Sequence, residues 1–303
     1  MVISREYVFQ SYSEIFFRIK FLLDLRRILL ITMVATKDDI ASQNIAGKLI
    51  SDFGFSEAAS STDGQTYWTT FERRELKLVV VEGELVYLQN HPAFSSSNLV
   101  IFLSRHESRN GAKLLTAHVP GNLFEASFGG IAGKVSIAPA NAARAALVEM
   151  RRAKKRLARE EFQVSYEGTH HGPSLDVPAL FVEIGSTQEE WSSPKAAEAV
   201  ACAAMAAATC NEEVEAAVAL GGSHCNSRLT NHSLDSPLAF GHIIPSYAFS
   251  RLNADIVRHC IDRTLESNPT LILDWKGIDG KQREGLVELL KQLNIPFRRL
   301  AEY

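Results

Sequence analysis

The sequence predicts an α/β protein with a mostly parallel sheet and flanking helices. Three observations predict it. Short continuous Val/Ile/Leu runs such as "LKLVVVEG" and "ALFVEIGS" lack polar alternation, as expected of strands covered on both faces. Helical stretches separate these runs, the order that builds a parallel sheet. Polar residues collect just past the apolar runs, where ligands gather in open parallel sheets.

An N-terminal amphipathic helix is expected first, because Ile15, Phe16, Ile19, Leu22 and Leu23 share one helical face. Arg18, Lys20, Asp24, Arg26 and Arg27 interrupt the apolar run, so no membrane span of about 18 residues survives. The helix is expected to lie on the body or on a partner. A strand follows over 27–36, then a helix over 38–54 with apolar spacing at Ile40, Ile45 and Leu49 and a stop near Gly54. Strands are expected at 76–83, 98–104 and 134–140. The Ala/Leu-rich stretch 141–161 reads as a helix that turns strongly basic. Strands at 162–168 and 179–186 precede a helix that opens with Ser193 as N-cap and Pro194 in its first turn. Strands at 216–222 and 270–277 and a helix running up to Pro296 complete the chain. The basic helix suggests an N-terminal extension (1–27), an N-terminal α/β part (28–150) and a C-terminal α/β part (151–303) carrying most of the site. One continuous domain is the alternative.

Composition narrows the class. The chain has 303 residues, 46% hydrophobic and 22% charged, the balance of a soluble globular protein. A net charge of −3 advertises no nucleic acid globally, although a local basic patch can still bind one. Four cysteines (Cys202, Cys210, Cys225, Cys260) are widely spaced without C-x-x-C, which argues against a disulfide framework or zinc ribbon. A reducing cytoplasm fits.

Chemistry concentrates in "YEGTHHGPSLDVPALFVEIGST". Glu183 stands in an apolar strand, and a buried carboxylate is costly unless paired, hydrogen-bonded or bound to metal. It is either the structural partner of an Arg or His, or a general base. Glu167 has the same two readings. Of the nine histidines, His106, His118, His170, His171 and His224 follow strand ends and can converge. A single strand-end histidine is often only a hydrogen-bonded structural group. Two on one turn before Gly172-Pro173 point more firmly to a site. Gly221-Gly222-Ser223 could present backbone N–H groups to an oxyanion or phosphate, or be ordinary turn chemistry. No H-E-x-x-H or H-x-H occurs, so spacing diagnoses no metal. His170, His171 and His224 with Glu183 are the set to test. "RRAKKRLAR" (151–159) puts six cations in nine residues, including Arg151, Arg152 and Lys155. It is a solvated face or a phosphate-backbone contact.

In order along the chain stand "TKDDIASQNI", "LSRHES", "LTAHVPGNLFEASFGG", "YEGTHHGP", "PALFVEIGSTQEEW", "VALGGSH", "FGHIIPSYA" and "DWKG". Together these segments resemble the D-aminoacyl-tRNA deacylases of the archaeal and plant type, from about residue 28 onward. The resemblance implies a monomeric hydrolase of D-aminoacyl-tRNA esters, zinc-dependent with up to two ions per subunit. Its fold is likened to peptidyl-tRNA hydrolase and to the phosphorylase/hydrolase type. By the same resemblance His170, His171 and Gly172 form the double-histidine turn and Glu183 the strand glutamate. Gly221, Gly222 and His224 form the glycine-rich loop. Arg105 and His106, His118, His242, and Asp274 with Lys276 occupy the remaining motifs. The family's loop usually reads Gly-Gly-Gly-His-Tyr-x-Pro. Here Ser223, Cys225 and Ser227 replace a glycine, an aromatic and a proline, while the histidine is kept. Residues 1–27 have no counterpart in the family, and a start at Met33 would remove half of the first strand.

The expected chemistry is an activated water and charge stabilisation at the ester carbonyl. Glu183 or a histidine-held Zn²⁺ would generate the nucleophile. Amides of Gly221–Ser223 or the His170/His171 imidazoles would stabilise the oxyanion. Arg105, Lys276 and the 151–159 run would hold tRNA phosphates. Two rivals stay open at this point: a metal-dependent amidase or phosphorylase-like enzyme on a small molecule, and a catalytically decayed tRNA-binding protein.

Overall fold

A computed structural model describes residues 30–62, 67–73 and 75–302; the expected helix at 15–23 lies outside the described residues. The larger sheet contains β1 (Ile31–Thr36), β2 (Ser56–Thr62), β3 (Tyr67–Arg73), β4 (Leu76–Val81), β5 (Leu99–Glu107), β6 (Leu114–His118), β7 (Gln163–Tyr166) and β8 (Ala179–Ser186). Its order is β2-β3-β4-β1-β5-β8-β6-β7. Strands β4, β1, β5 and β8 are mutually parallel, and their near-continuous burial explains the unbroken apolar runs. Strand β6 runs antiparallel to β8 and carries β7 parallel to itself. A second, all-parallel sheet has β9 (Glu215–Leu220), β10 (Leu238–Ile244), β11 (Thr270–Leu273) and β12 (Phe297–Arg299) in the order β10-β9-β11-β12.

The helices are α1 (Ile40–Phe53), α2 (Ala140–Arg156), α3 (Gln188–Trp191), α4 (Pro194–Ala208), α5 (Ser227–Asp235), α6 (Ala254–Asp262) and α7 (Gly280–Gln292). Asp39 caps α1 by accepting from the amides of Ala41 and Ser42, and Gly54 ends it with φ +71°. Ser193 caps α4 as its position before Pro194 predicts. Small side chains line the contact between α2 and α4. Ala143, Ala146 and Ala153 meet Ala197, Ala201 and Ala204 in one buried cluster, so the two backbones approach closely. Among the described residues no helix is long and apolar enough to cross a membrane.

One expectation is corrected. Residues 134–140 form no strand: Val135, Ile137 and Ala138 make only isolated bridges, and Ala140 already opens α2. The Glu266 carboxylate sets that opening by accepting from the amides of Ala140 and Asn141 at 3.1 and 2.8 Å. Strand β10 escapes a sequence reading because Gly241 and His242 break its apolar run, and β2 because its small and polar residues are all exposed. The boundary at 150/151 falls inside α2, and β7 and β8 join the larger sheet, so that sheet draws on both proposed parts.

Candidate active site

Strand pairing brings the polar residues together. Glu183 lies mid-strand on β8, opposite Ser104 of β5 and Thr116 of β6. The antiparallel β6 delivers His118 opposite Phe181, and the two rings stack with centroids 5.1 Å apart. The end of β5 places His106 opposite Gly185, where a Cβ would come within 2.7 Å of the imidazole. Glycine leaves room for that ring. Strand β7 runs directly into Glu167. The turn beyond it holds His171 in the left-handed region, with φ +41°, and sets His170 and His171 side by side with ring centroids 4.2 Å apart. His118 completes this imidazole group, its ring centroid 4.3 Å from that of His170 and 4.9 Å from that of His171. His224 joins from the loop after β9, 4.5 Å from His170.

The two buried carboxylates anchor this group. Glu167 is 1% exposed and Glu183 3%. Glu167 Oε2 lies 2.9 Å from His224 Nε2, and Glu167 Oε1 lies 3.0 Å from His106 Nδ1. Glu183 approaches His106 and His118, each at 3.7 Å, and accepts from Thr116 Oγ1 at 3.4 Å. Burial opposes a charge on His106, but the Glu167 and Glu183 carboxylates raise its pKa to about 10. Burial pushes the carboxyl of Glu167 up, yet the His106 and His224 imidazoles hold it well below the usual range. Glu183 is lowered in the same way by His106 and His118, against its burial. Burial, followed by the charge on His118, lowers His171 to about 4 and takes His170 well below its ordinary value. Those two rings are therefore neutral.

Neutral rings of this kind suit metal binding. His170 Nδ1 lies 2.8 Å from the Gly168 carbonyl and His171 Nδ1 2.7 Å from the Gly172 carbonyl. A carbonyl only accepts, so each Nδ1 carries the proton and each Nε2 presents a lone pair. Both nitrogens of the buried His118 ring lack a hydrogen-bond partner among the described residues. Donor atoms of His118, His170 and His171 lie within 4.8 Å of one another, as do those of Glu167, His170 and His224. His106, His170, His171, His224 and Glu183 line a cleft of about 600 Å³, with Arg105, Arg109 and Phe128 at its walls, while His118 lies buried behind them.

Other expected residues stand apart. The Gly221 and Gly222 amides donate to the carbonyls of Ile244 and Gly277, at 2.9 and 3.1 Å, so they are not free to cradle an oxyanion. His242 is fully buried in β10, between Thr169 Oγ1 at 3.1 Å and the Ser136 carbonyl at 3.2 Å. Burial lowers its pKa to about 3, the state of a structural neutral histidine. Lys276 lines a separate small pocket with Arg228 and Trp275. Arg151 bonds Asp235 and the Leu234 carbonyl at the end of α5, whereas Arg152 and Lys155 remain exposed. Sequence reasoning left Glu167 between two readings and did not single out Asp39, Arg109 or Phe128, all of which line the cleft. Asp39 does carry a signal, the N-cap position before α1; its carboxylate also accepts from the Arg105 amide at 2.7 Å, which fixes that residue at the cleft.

The model of the family described as D-aminoacyl-tRNA deacylase matches residues 93–298. The chain belongs to this family. A D-aminoacyl-tRNA deacylase of Pyrococcus furiosus is 34% identical over 272 residues, covering 88% of this chain and 98% of the relative. One of Methanosarcina acetivorans is 30% identical over 285 residues, covering 90% and 93%. A crystal structure described as a conserved protein of unknown function superposes with a TM-score of 0.80 at 28% identity, over 90% of this chain and 96% of its own. The familial match begins after β4, so it spans the strands and turns that carry every imidazole of the cleft.

Proposed function

We propose that the cleft hydrolyses the ester joining a D-amino acid to the terminal ribose of tRNA, releasing both. The observation that carries this reading is the cluster of imidazoles, two of them held neutral, with two buried carboxylates beside an open cleft in a deacylase-family chain. Glu183 reaches the cleft and is the base that takes the proton of the attacking water. Glu167 is fully enclosed and works indirectly, holding the His106 and His224 rings in place. In the metal-free protein His106, kept protonated by both carboxylates, supplies the positive charge nearest them.

Zinc fits the donor set. His118, His170 and His171 offer three nitrogen donors, two with tautomers already fixed by backbone carbonyls and the third, His118, on losing the proton that Glu183 favours. His224 with Glu167 and His170 offers a second grouping. Bound there, zinc would polarise the ester carbonyl and lower the pKa of water. Arg105 and Arg109 suit the phosphates nearest the ester, and Arg152 and Lys155, one turn apart on α2, suit phosphates further along. The reading implies a protein that works where aminoacyl-tRNA is made and used, in the cytoplasm, and as a monomer.

The test is release of labelled tyrosine from D-Tyr-tRNA and L-Tyr-tRNA, with chelator and with added zinc. D-selective release abolished by chelator is expected. D-selective release indifferent to chelator would remove zinc and leave the work to Glu183 and the histidines. Bound tRNA without release of either amino acid would overturn the enzymatic reading.

A further inference from the structure

Cys225 lies in the loop between β9 and α5, and nothing in the hydrolytic reading uses it. Its Sγ, a His106 ring nitrogen and a Glu167 carboxylate oxygen all lie within 4.8 Å of one another. The spacing is built into the backbone, because Glu167 and Cys225 face each other across an antiparallel bridge. The adjoining amides close it further: Gly168 N donates to the His224 carbonyl at 2.9 Å and Asn226 N to the Tyr166 carbonyl at 3.0 Å. Two of the three side chains also carry a buried polar atom without a hydrogen-bond partner. His106 Nε2 and Glu167 Oε1 have no hydrogen-bond partner among the described residues, on side chains only 7% and 0% exposed. The His106 approach to Oε1 is of ion-pair length but off the line of a hydrogen bond. Buried polar atoms without partners are rare in native structures, and an unseen ion is one of the standard reasons for them.

We propose that His106, Glu167 and Cys225 form a thiolate-bearing site for a soft divalent cation, zinc foremost, distinct from the His118/His170/His171 set. One nitrogen, one oxygen and one sulfur ligand leave a fourth tetrahedral position open. Thiolate selects zinc or cobalt over magnesium and calcium. The charge balances, because carboxylate and thiolate together offset the 2+ ion. The thiol proton and the imidazolium proton of His106 leave to water as the ion enters. Glu167 also faces His170 and His224, so one carboxylate would link the cysteine site to the imidazole cluster. The proposal deepens the hydrolytic reading and shares Glu167 with it, but its readouts are independent of turnover.

The experiment is cobalt(II) titration of the chelator-stripped full-length protein, followed by absorbance. A near-ultraviolet sulfur-to-cobalt band is expected, lost in Cys225→Ser while the visible bands of the imidazole set persist. In the unaltered protein, zinc should slow alkylation of Cys225 about tenfold or more. Cys202 and Cys210, which belong to no metal-ligand grouping among the described residues, should alkylate at unchanged rates. The alkylation arm decides the matter even if Cys225→Ser fails to fold. Absence of the sulfur band in the unaltered protein, its persistence in Cys225→Ser, or indifference of Cys225 to zinc would each overturn the proposal. An intact sulfur band in a protein inert toward D-Tyr-tRNA would uphold it while sinking the deacylase reading.

Discussion

His106 Nδ1 stands 3.0 Å from Glu167 Oε1, and the same nitrogen lies 3.7 Å from Glu183 Oε2, so one imidazole separates two buried carboxylates. Two enclosed like charges would otherwise raise each other's pKa and one would take a proton. With His106 between them, both carboxyls are instead held below their ordinary range. A carboxylate kept ionised under cover is available as a base or a ligand. The same relation, with the rest of the imidazole cluster, sets what can be measured.

In metal-free protein, nitrogen NMR should find His106 protonated from pH 5 to 8 and His242 neutral over the same range. His106 has its pKa raised to about 10, so its contribution to stability is complete below the unfolded value of about 6.5 and is lost as pH rises through about 10. His242 is depressed to about 3, so its effect has the opposite direction: stability falls as pH drops from about 6.5 toward 3, where the unfolded chain binds a proton the folded one refuses. The melting temperature in chelator should therefore peak near pH 6.5. A His106 resonance titrating near 6.5 would contradict this account of the buried pair.

Substituting Glu183→Gln should lower kcat about a hundredfold or more and leave KM nearly unchanged, because the amide keeps the volume but cannot take a proton. Glu167→Gln should behave differently. It removes the anchor of two rings, so the melting temperature and metal content should fall together with activity. Single-turnover kinetics beside thermal melts distinguish the two. A Glu183→Gln enzyme within about threefold of the parent would transfer the role of base elsewhere.

Much of this centre was visible in the sequence, for a physical reason. Glu183 stands out because an apolar run cannot hold a carboxylate cheaply, and His170-His171 because two polar rings on one turn face the same way. What misled was that both sheets end in the same signature. The loop after β9 and the "DWKG" after β11 look like active-site loops, yet the Gly221 and Gly222 amides are closed by Ile244 and Gly277. Of that loop only His224 and Cys225 turn toward the cleft groups. His242 could not be told from a site histidine, since its partners, Thr169 and Ser136, lie 73 and 106 residues away in sequence. Phe128 lay within a segment that carried the family resemblance but was not singled out, being one aromatic in a loop.

Gly172→Ala should damage the double-histidine turn without touching an imidazole. A Cβ there would run into the backbone of Gly129 and Gly130 and come within 2.5 Å of the Val86 carbonyl. Backbone atoms cannot swing aside, so destabilisation of about 3 kcal/mol or more is expected. His170 and His171 should lose their common geometry, and zinc affinity should drop with the melting temperature. Unchanged melting and unchanged zinc binding would show the turn to be more yielding than it looks.

Phe128 offers the sharpest test of how the substrate is held. The residue is 67% exposed, which is unusual for a phenylalanine, and it lines the same cleft as Arg105 and His171. The backbone beneath it is fixed, because its carbonyl accepts the Gly172 amide at 2.8 Å. A fixed aromatic face next to the imidazole floor is where the terminal base of tRNA would lie when the ester reaches Glu183. Base–aromatic stacking is worth about 1–3 kcal/mol per base. Phe128→Ala should therefore raise KM for D-aminoacyl-tRNA about tenfold to a hundredfold while leaving kcat nearly constant, since the ring touches no reacting atom. Phe128→Trp should restore KM, and neither change should move the melting temperature, because an exposed ring contributes little to the core. A kcat loss at constant KM would place Phe128 at the chemistry instead, and no change in either constant would remove it from the binding surface.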